Sequence, residues 1–241
     1  MSHRYTYPDE HKAAEAAAQC ILNLLEERLS GESYATLALS GGKSPKLMFD
    51  IMARAKFDWT NVHVFWVDER AVPPTDAQSN YLMAEQSLLK PGRIPARNVH
   101  RVQAELTPDE AARRYTEEIR DFFQLQPGEL PHFDIVHRGV GPDAHTASLF
   151  PGEPLIEDRE NIAAAVYVEK MTQFRITLLP GVLLAAHHTV MLVSGADKAE
   201  AVRAIFQEPY DPAKYPAQIT AHHGRSVLWF MDQPAARLIE A

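Results

Sequence analysis

Residues 35–55, ATLALSGGKSPKLMFDIMARA, carry the pattern that decides the fold. The apolar run at 35–40 is typical of a buried strand, and two glycines follow it directly. We expect Ser44 to cap the next helix and Pro45 to take its first helical position. That helix carries an apolar stripe at helical spacing: Leu47, Met48, Ile51, Met52 and Ala55. The stretch therefore predicts one strand–turn–helix unit.

The same alternation of strand and helix recurs along the chain. Further apolar runs predict strands at 62–69, 132–136, 163–168, 189–194 and 226–231. Periodic stretches predict helices at 9–30, 78–90, 108–124, 198–207 and 234–240, with Gly31 as the C-terminal cap of the first. We therefore predict a doubly wound, Rossmann-like α/β fold with a mostly parallel sheet and helices on both faces. We expect residues 1–241 to form a single domain whose ligand binds beyond the carboxyl ends of the strands.

Composition excludes several classes of partner. The 241 residues carry a formal charge of −8, which argues against nucleic acid because phosphate-backbone binding needs clustered cations. The polar N-terminal stretch indicates no secretory signal, and no apolar run is long enough to cross a bilayer. Cys20 is the only cysteine, so no internal disulfide is expected and the cytoplasm is the expected compartment. An anionic ligand would need a local pocket of cations.

Polar residues follow the first two predicted strands. Ser40-Gly-Gly-Lys43 precedes a helix N-terminus, which fits either an anion site or a well-capped tight turn. It is not a P-loop, since the G-x-x-x-x-G-K-[ST] spacing is absent. Asp68-Glu69-Arg70 ends the second strand, with Asn80 further on. Taken alone, these charges fit a solvated strand end better than a ligand site.

The third strand is followed by GVGPDAHTASLFPG at 139–152. Its start matches the dinucleotide pattern G-x-G-x-x-A, but Pro151 and Gly152 interrupt the long helix which that interpretation needs. Asp143 and His145 instead place a carboxylate beside an imidazole where ligands usually bind. Later, Lys198 lies at a helix start, where a cation opposes the helix dipole unless a bound anion offsets it. Arg175 is a further candidate cation or an ordinary surface arginine.

Together these segments resemble the 6-phosphogluconolactonase family. Four ordered blocks carry the resemblance: S-G-G-x-[ST]-P at 40–45; D-E-R-x-V at 68–72 with S-N at 79–80; the stretch at 139–152; and R-I-T-L at 175–178 with G-x-x-K-A at 195–199. The resemblance implies hydrolysis of 6-phospho-D-glucono-1,5-lactone to 6-phosphogluconate in the pentose phosphate pathway. It also implies a small phosphorylated lactone as the only partner, no metal or organic cofactor, and a monomer or weak homodimer.

The resemblance also implies roles for individual residues. His145 would be the general base, Asp143 would orient it or help hold the substrate, and Arg70 would contact the substrate and balance charge on the carbonyl oxygen. The residues implied for phosphate and sugar binding are Ser40, Gly41, Gly42, Lys43, Asp68, Asn80, Arg175 and Lys198.

Two departures from the family pattern affect the loop at 139–152. Ala144 replaces a usual glycine, which costs on the order of 1 kcal/mol if the position requires a positive φ. His137 and Arg138 replace apolar residues, and they would be costly deep in a sheet unless they lie at its end with partners. Lys43 stands where a small polar residue is usual, which an anion site tolerates.

Other interpretations have identifiable marks. Glucosamine-6-phosphate deaminases share the fold and the arrangement that binds phosphate. Their motif, however, places a glutamate five residues after the histidine, and that position here is Phe150. A non-catalytic sugar-phosphate sensor would carry a DNA-binding helical module, which we do not find. The adjacent pairs His187-His188 and His222-His223 lack the spacing of metal ligands, so we expect surface histidines. The remaining aromatic candidates are expected in the core: Trp66, Tyr115, Phe122 and Phe123.

Overall fold

The structure is a computed structural model that describes residues 2–239. Over this range the chain forms ten strands and eight α-helices. The strands are β1 (Ser2–Tyr7), β2 (Ala35–Leu39), β3 (Val62–Trp66), β4 (Asp68–Arg70), β5 (Val99–His100), β6 (Ile135–Arg138), β7 (Ala163–Val168), β8 (Gln173–Leu178), β9 (His188–Val193) and β10 (Val227–Asp232). The α-helices are α1 (Glu10–Gly31), α2 (Lys43–Arg54), α3 (Asn80–Ala84), α4 (Pro108–Phe123), α5 (Pro180–Ala185), α6 (Ala199–Gln207), α7 (Gln218–His223) and α8 (Gln233–Ala236).

Seven strands form one parallel sheet in the order β1-β10-β9-β6-β2-β3-β5. The chain builds outward from β2 through β3 to β5, and then returns to place β6, β9 and β10 on the other side of β2. The order thus reverses between β2 and β6, and a ligand crevice is expected at such a point, beyond the carboxyl ends of the strands. The predicted doubly wound α/β fold is confirmed.

A second, antiparallel sheet has the order β4-β8-β7. The prediction of one strand over 62–69 was therefore wrong: β3 ends at Trp66, and Asp68 already belongs to the second sheet. Val67 is the point of transfer, because its N–H donates to Leu39 O while its carbonyl accepts from Leu178 N, both at 2.8 Å. The apolar run continues through the transfer, so hydrophobicity alone does not mark it.

Helix boundaries follow local chemistry, with two departures from expectation. Asp9 caps α1, its side chain accepting from the backbone N–H of Lys12. Gly31 is the last residue of α1 rather than its cap, which is Glu32. The helix α2 begins at Lys43 with Gly42 at the cap position and no side-chain cap, so the predicted roles of Ser44 and Pro45 at the helix start were wrong.

Several elements escaped prediction: the strands β1, β5 and β8 and the short helices α5 and α7. Their strand or helix pattern is weak because β1 is almost entirely exposed and β5 spans two residues. The helix predicted at 234–240 is shorter, ending at Ala236, and its last predicted residue lies outside the described residues.

The core lies between the parallel sheet and its helices. The alanines of α1 pack it closely against the sheet, and Trp66 and Tyr115 are fully buried, as predicted. The Tyr115 hydroxyl donates to Trp66 O and accepts from Trp66 N, so its polar atom is satisfied. Phe122 and Phe123 are partly buried against this core, also as predicted. No helix within residues 2–239 is long and apolar enough to cross a membrane.

His137 and Arg138 are fully buried in β6, the strand at the centre of the sheet. Arg138 is the last residue of its strand, but neither side chain has a hydrogen-bond partner among the described residues. The expectation that partners would offset the burial of these residues is therefore not met. Burial lowers the pKa of His137 to about 3 and that of Arg138 to about 9. His137 is therefore neutral at physiological pH, while Arg138 remains a buried charge.

Candidate active site

A cleft of about 410 Å³ opens where the strand order of the parallel sheet reverses. Its floor is formed by loops that follow β2, β3, β6 and β9. Ten of the eleven predicted site residues line it: Ser40, Gly41, Gly42, Lys43, Asp68, Arg70, Asn80, His145, Arg175 and Lys198. The eleventh, Asp143, contacts His145 from outside the cleft. The sheet thus brings together residues that lie up to 158 positions apart in the chain.

His145 and Asp143 form a hydrogen-bonded dyad. The Nδ1 atom of the imidazole lies 2.6 Å from Asp143 Oδ1, so a proton on Nδ1 is held by the carboxylate and Nε2 is left as the basic atom. Burial alone would raise the pKa of Asp143, but hydrogen bonds from His145 and Lys170 outweigh it and hold that pKa well below its ordinary value. Asp143 therefore stays ionised throughout the neutral range.

The loop that carries the dyad depends on two special backbone positions. A Cβ atom on Gly141 would lie 1.9 Å from His145 Nδ1, so only glycine lets the imidazole lie against the chain. Ala144 has φ of +63°, which is the left-handed region where the usual glycine is favoured. The strain anticipated for this alanine is therefore present, at a cost on the order of 1 kcal/mol. Ala144 nonetheless keeps both backbone hydrogen bonds, to Gly141 O and from Ala217 N.

Asp68 joins three parts of the site. Its carboxylate accepts a hydrogen bond from Ser148 Oγ at 2.6 Å and a longer one from Ser40 Oγ at 3.4 Å. Arg175 Nη1 lies 3.9 Å from the same carboxylate. Asp68 is 6% exposed and Glu69 1%, so the interpretation of this segment as a solvated strand end was wrong. Asp68 faces the cleft and fixes the walls around it.

Glu69 organises the opposite side of β4. Its carboxylate accepts from the backbone N–H groups of Arg70, Asn80 and Tyr81 and from the Ser79 hydroxyl. These bonds fix the start of α3 and hence Asn80, whose side-chain amide donates to Asp68 O at 2.8 Å. A Cβ on Gly41 would lie 1.8 Å from Asn80 Oδ1, so glycine is required where the β2 loop meets this amide.

Two arginines enter the cleft from the second sheet. Arg70 and Arg175 are direct neighbours across β4 and β8. Arg70 Nη1 donates to Gln78 O, while Arg175 is 6% exposed and burial lowers its pKa. The Nε atom of each guanidinium is buried without a hydrogen-bond partner among the described residues. Both side chains line the cleft, so their guanidinium groups give it positive charge suited to an anionic or oxygen-rich ligand.

Two lysines of the cleft lie at the starts of helices that follow strands of the parallel sheet. Lys198 immediately precedes α6 and forms an ion pair with Asp197 at 3.0 Å, and Lys43 is the first residue of α2. Both line the cleft. The free N–H groups of these two helix starts add partial positive charge, so the cleft is a local anion site in a protein of net negative charge.

Sequence reasoning missed several residues of the site. Ser148 lies in the same block as the dyad and binds Asp68, while Met171, Ser194 and Asp197 line the cleft. Ser194 Oγ is buried without a partner among residues 2–239. Ser148 and Asp197 lay in quoted motifs, but no spacing rule predicted the contact of Ser148 with Asp68. Lys170, which contacts Asp143, gave no signal at all in the sequence.

The histidine pairs lie away from the cleft. His187, His222 and His223 are exposed and His188 is partly buried. The last two residues of α7, His222 and His223, contact Tyr210. Within residues 2–239, no three histidine, cysteine or acidic side chains gather in a group that could hold a metal ion.

The fold and the cleft define an α/β protein whose cleft, at the switch point of a doubly wound sheet, has the charge and size suited to a small anionic ligand. The family described as glucosamine-6-phosphate isomerases/6-phosphogluconolactonase matches residues 8–229. The 6-phosphogluconolactonase of Synechocystis sp. is 35% identical over 92% of this chain and 91% of its own, and that of Haemophilus influenzae is 35% identical over 84% and 87%. A crystal structure of 6-phosphogluconolactonase from Thermotoga maritima is 26% identical with a TM-score of 0.82, covering 96% of this chain and 100% of its own. The chain belongs to this family.

Proposed function

We propose that this protein hydrolyses 6-phospho-D-glucono-1,5-lactone to 6-phospho-D-gluconate, the second step of the oxidative pentose phosphate pathway, with His145 as general base. One observation carries the proposal: the His145–Asp143 dyad and the unpartnered guanidinium donors of Arg70 and Arg175 meet at one cleft. An imidazole base and cationic donors are what lactone hydrolysis needs, because an activated ester requires no covalent nucleophile.

Water is activated at the Nε2 atom of His145. With Nδ1–H held by Asp143, Nε2 takes a proton from water as the oxygen attacks C1 of the lactone. The tetrahedral intermediate then collapses, the bond from C1 to the ring oxygen breaks, and the imidazolium returns its proton to that oxygen as it becomes a hydroxyl. Water is consumed, the ring opens, and the imidazole is regenerated without any other reagent.

Arg70 stabilises the negative charge that develops on the C1 oxygen. Its Nη1 is fixed by Gln78 O, while Nε is buried without a partner among the described residues. A donor held in place by the protein stabilises a forming oxyanion more effectively than mobile water does. Asp68 and Asn80, joined by the bond from the Asn80 amide to Asp68 O, shape the sugar subsite.

The phosphate is held by the remaining cationic and backbone groups. Arg175 and Lys198 supply charge, with Lys43 beside them at the start of α2. Ser40, Gly41 and Gly42 supply a hydroxyl and backbone N–H groups at that helix start. Anchoring the phosphate provides binding energy far from C1 and so positions the carbonyl for attack.

The two alternatives lack support from specific residues. A deaminase would need an acid five residues after the histidine, where Phe150 instead stacks on the His145 ring at 4.0 Å between centroids. A sensor would bind the same ligand without turnover.

We further propose that residues 1–241 act as a single domain, as a monomer or weak homodimer in the cytoplasm and without nucleic acid. The core running from Ala13 to Phe230, the lone Cys20 and the charge of −8 support this setting.

The direct test is a coupled assay of the purified protein on lactone generated immediately before use. The rate is measured above spontaneous hydrolysis, which is determined without enzyme at each pH. We expect saturable hydrolysis with no added metal. Ammonia release from glucosamine 6-phosphate, or ligand binding without hydrolysis above background, would contradict the proposal.

Lys198→Ala is expected to raise KM by about 10–100-fold with little change in kcat, because the lost charge-assisted contact is made equally in ground and transition states. Lys46→Ala is the matched control, since Lys46 is an exposed lysine of α2 that pairs with Asp50. Saturation curves for the three proteins give the measurement. A KM within twofold of wild type would remove Lys198 from the phosphate site.

A further inference from the structure

A lysine outside the cleft contacts the far side of the dyad. Lys170 lies in the turn between β7 and β8, and its Nζ contacts Asp143 Oδ2. The other carboxylate oxygen, Oδ1, accepts from His145 Nδ1 and, at 3.3 Å, from the His145 backbone N–H. Each oxygen of Asp143 therefore has its own partner, and rotation of the carboxylate away from the imidazole would break both sets of contacts.

The same ammonium supports the imidazole through a second route. Lys170 Nζ lies 4.7 Å from the centroid of the Phe150 ring. The Phe150 ring in turn stacks on His145, with centroids 4.0 Å apart and planes 25° apart. Lys170 thus holds both the carboxylate that fixes the edge of the imidazole and the aromatic ring that fixes its face.

Other charged groups surround this arrangement. Arg175 lies 5.9 Å from the Phe150 centroid on the cleft side, and Lys198 and Asp197 line the cleft. On the outer side, Glu153 and Glu169 line a groove together with Asp143 and Lys170. Among these groups Lys170 is the cation in contact with Asp143, so it balances the charge of this carboxylate and helps to hold it beside the imidazole.

We propose that Lys170 is a positioning residue for the general base: it holds Asp143 and Phe150 in place around His145 and so fixes the position of the imidazole. This inference rests on the proposed function. Lys170 does not line the cleft, so it does not contact the reacting atoms. It acts through Asp143 and Phe150.

A purely structural role would predict something different. The Lys170 side chain is 49% exposed, and exposed ion pairs contribute little to stability. If Lys170 is a positioning residue, its loss should therefore leave the stability of the fold and the affinity for substrate nearly unchanged while it lowers the rate of the chemical step. Thermal unfolding and KM separate the two roles.

The experiment compares wild type with Lys170→Met and Lys170→Arg. For Lys170→Met we expect kcat about tenfold lower, corresponding to ~1.4 kcal/mol, with KM within twofold of wild type. Lys170→Arg should recover most of kcat.

Lys90→Met is the matched control, since Lys90 also pairs with a carboxylate, that of Glu85, away from the cleft. It should match wild type. If wild type hydrolyses the lactone and Lys170→Met keeps its rate, the positioning role is wrong while the proposed function stands. Equal loss in Lys170→Arg and Lys170→Met would also overturn it. If Lys170→Met proves unstable by thermal unfolding, Lys170→Gln repeats the comparison.

Discussion

Replacing His145 with alanine is expected to lower kcat on the phosphorylated lactone by about 10²–10⁴-fold, the usual contribution of a general base. The imidazole is held by Asp143 at Nδ1 and by Phe150 on its face, so its loss removes a positioned base rather than a mobile one. KM should change little, because the phosphate contacts remain. Initial rates above spontaneous hydrolysis, measured at saturating lactone, give the result.

His222→Ala is the matched control for this substitution. His222 is exposed on α7 and contacts Tyr210 rather than the cleft. Its kcat should equal that of wild type, whereas a His145→Ala rate within about threefold of wild type would show that the base is another group. Circular dichroism and the thermal midpoint of both variants exclude unfolding as the cause of a lost rate.

The parallel sheet was predictable because its strands are buried on both faces. Strands such as β2 and β9 therefore appear in the sequence as short, mainly apolar runs. The edge strand β1 lacks this property, since its residues are almost all exposed, and nothing in SHRYTY distinguished it from a polar terminus. An exposed edge strand such as β1 therefore could not be predicted from its composition.

The transfer between the two sheets was not predictable from local pattern. Residues 62–67 are apolar except for His63, yet Val67 bonds to both sheets and the chain changes partners there. The strand β8, with Arg175, pairs with β4 across more than one hundred positions of sequence. Such long-range pairing leaves no periodic signal in either segment.

Ten residues that line the cleft, together with Asp143, were named from the sequence because they lie in the four motif blocks that carry the family resemblance. Taken alone, the residue patterns left 40–43 and Arg175 open and favoured a solvated strand end at 68–70. Lys170 was missed because it reaches Asp143 from a different sheet, and Ser148 because its bond to Asp68 spans 80 positions. Residues that act by supporting others have no fixed spacing from them, so their positions require the tertiary structure.

Arg138→Met is expected to raise the free energy of unfolding by about 1–4 kcal/mol, the range found when buried ion pairs are replaced by apolar side chains of similar volume. Arg138 is fully buried in β6 opposite Met191 of β9, and its guanidinium nitrogens have no hydrogen-bond partner among the described residues. An unbranched methionine can follow the path of the arginine stem without adding volume. Urea denaturation at pH 7.5 gives the measurement, as a higher midpoint with an unchanged m-value.

The control separates burial from the change of residue type. Arg114 lies on α4 with its side chain half exposed and pairs with Glu110, so Arg114→Met should shift stability by no more than about 0.5 kcal/mol. The neighbouring His137 is equally buried but neutral at this pH, since burial lowers its pKa to about 3. The expected gain in the free energy of unfolding therefore comes mainly from removing the charge of Arg138 rather than from removing a polar group. If Arg138→Met instead lowers the free energy of unfolding, the guanidinium must be paired in the folded protein with a buried water or anion. The substitution would then remove a stabilising interaction, which an unpaired charge does not make.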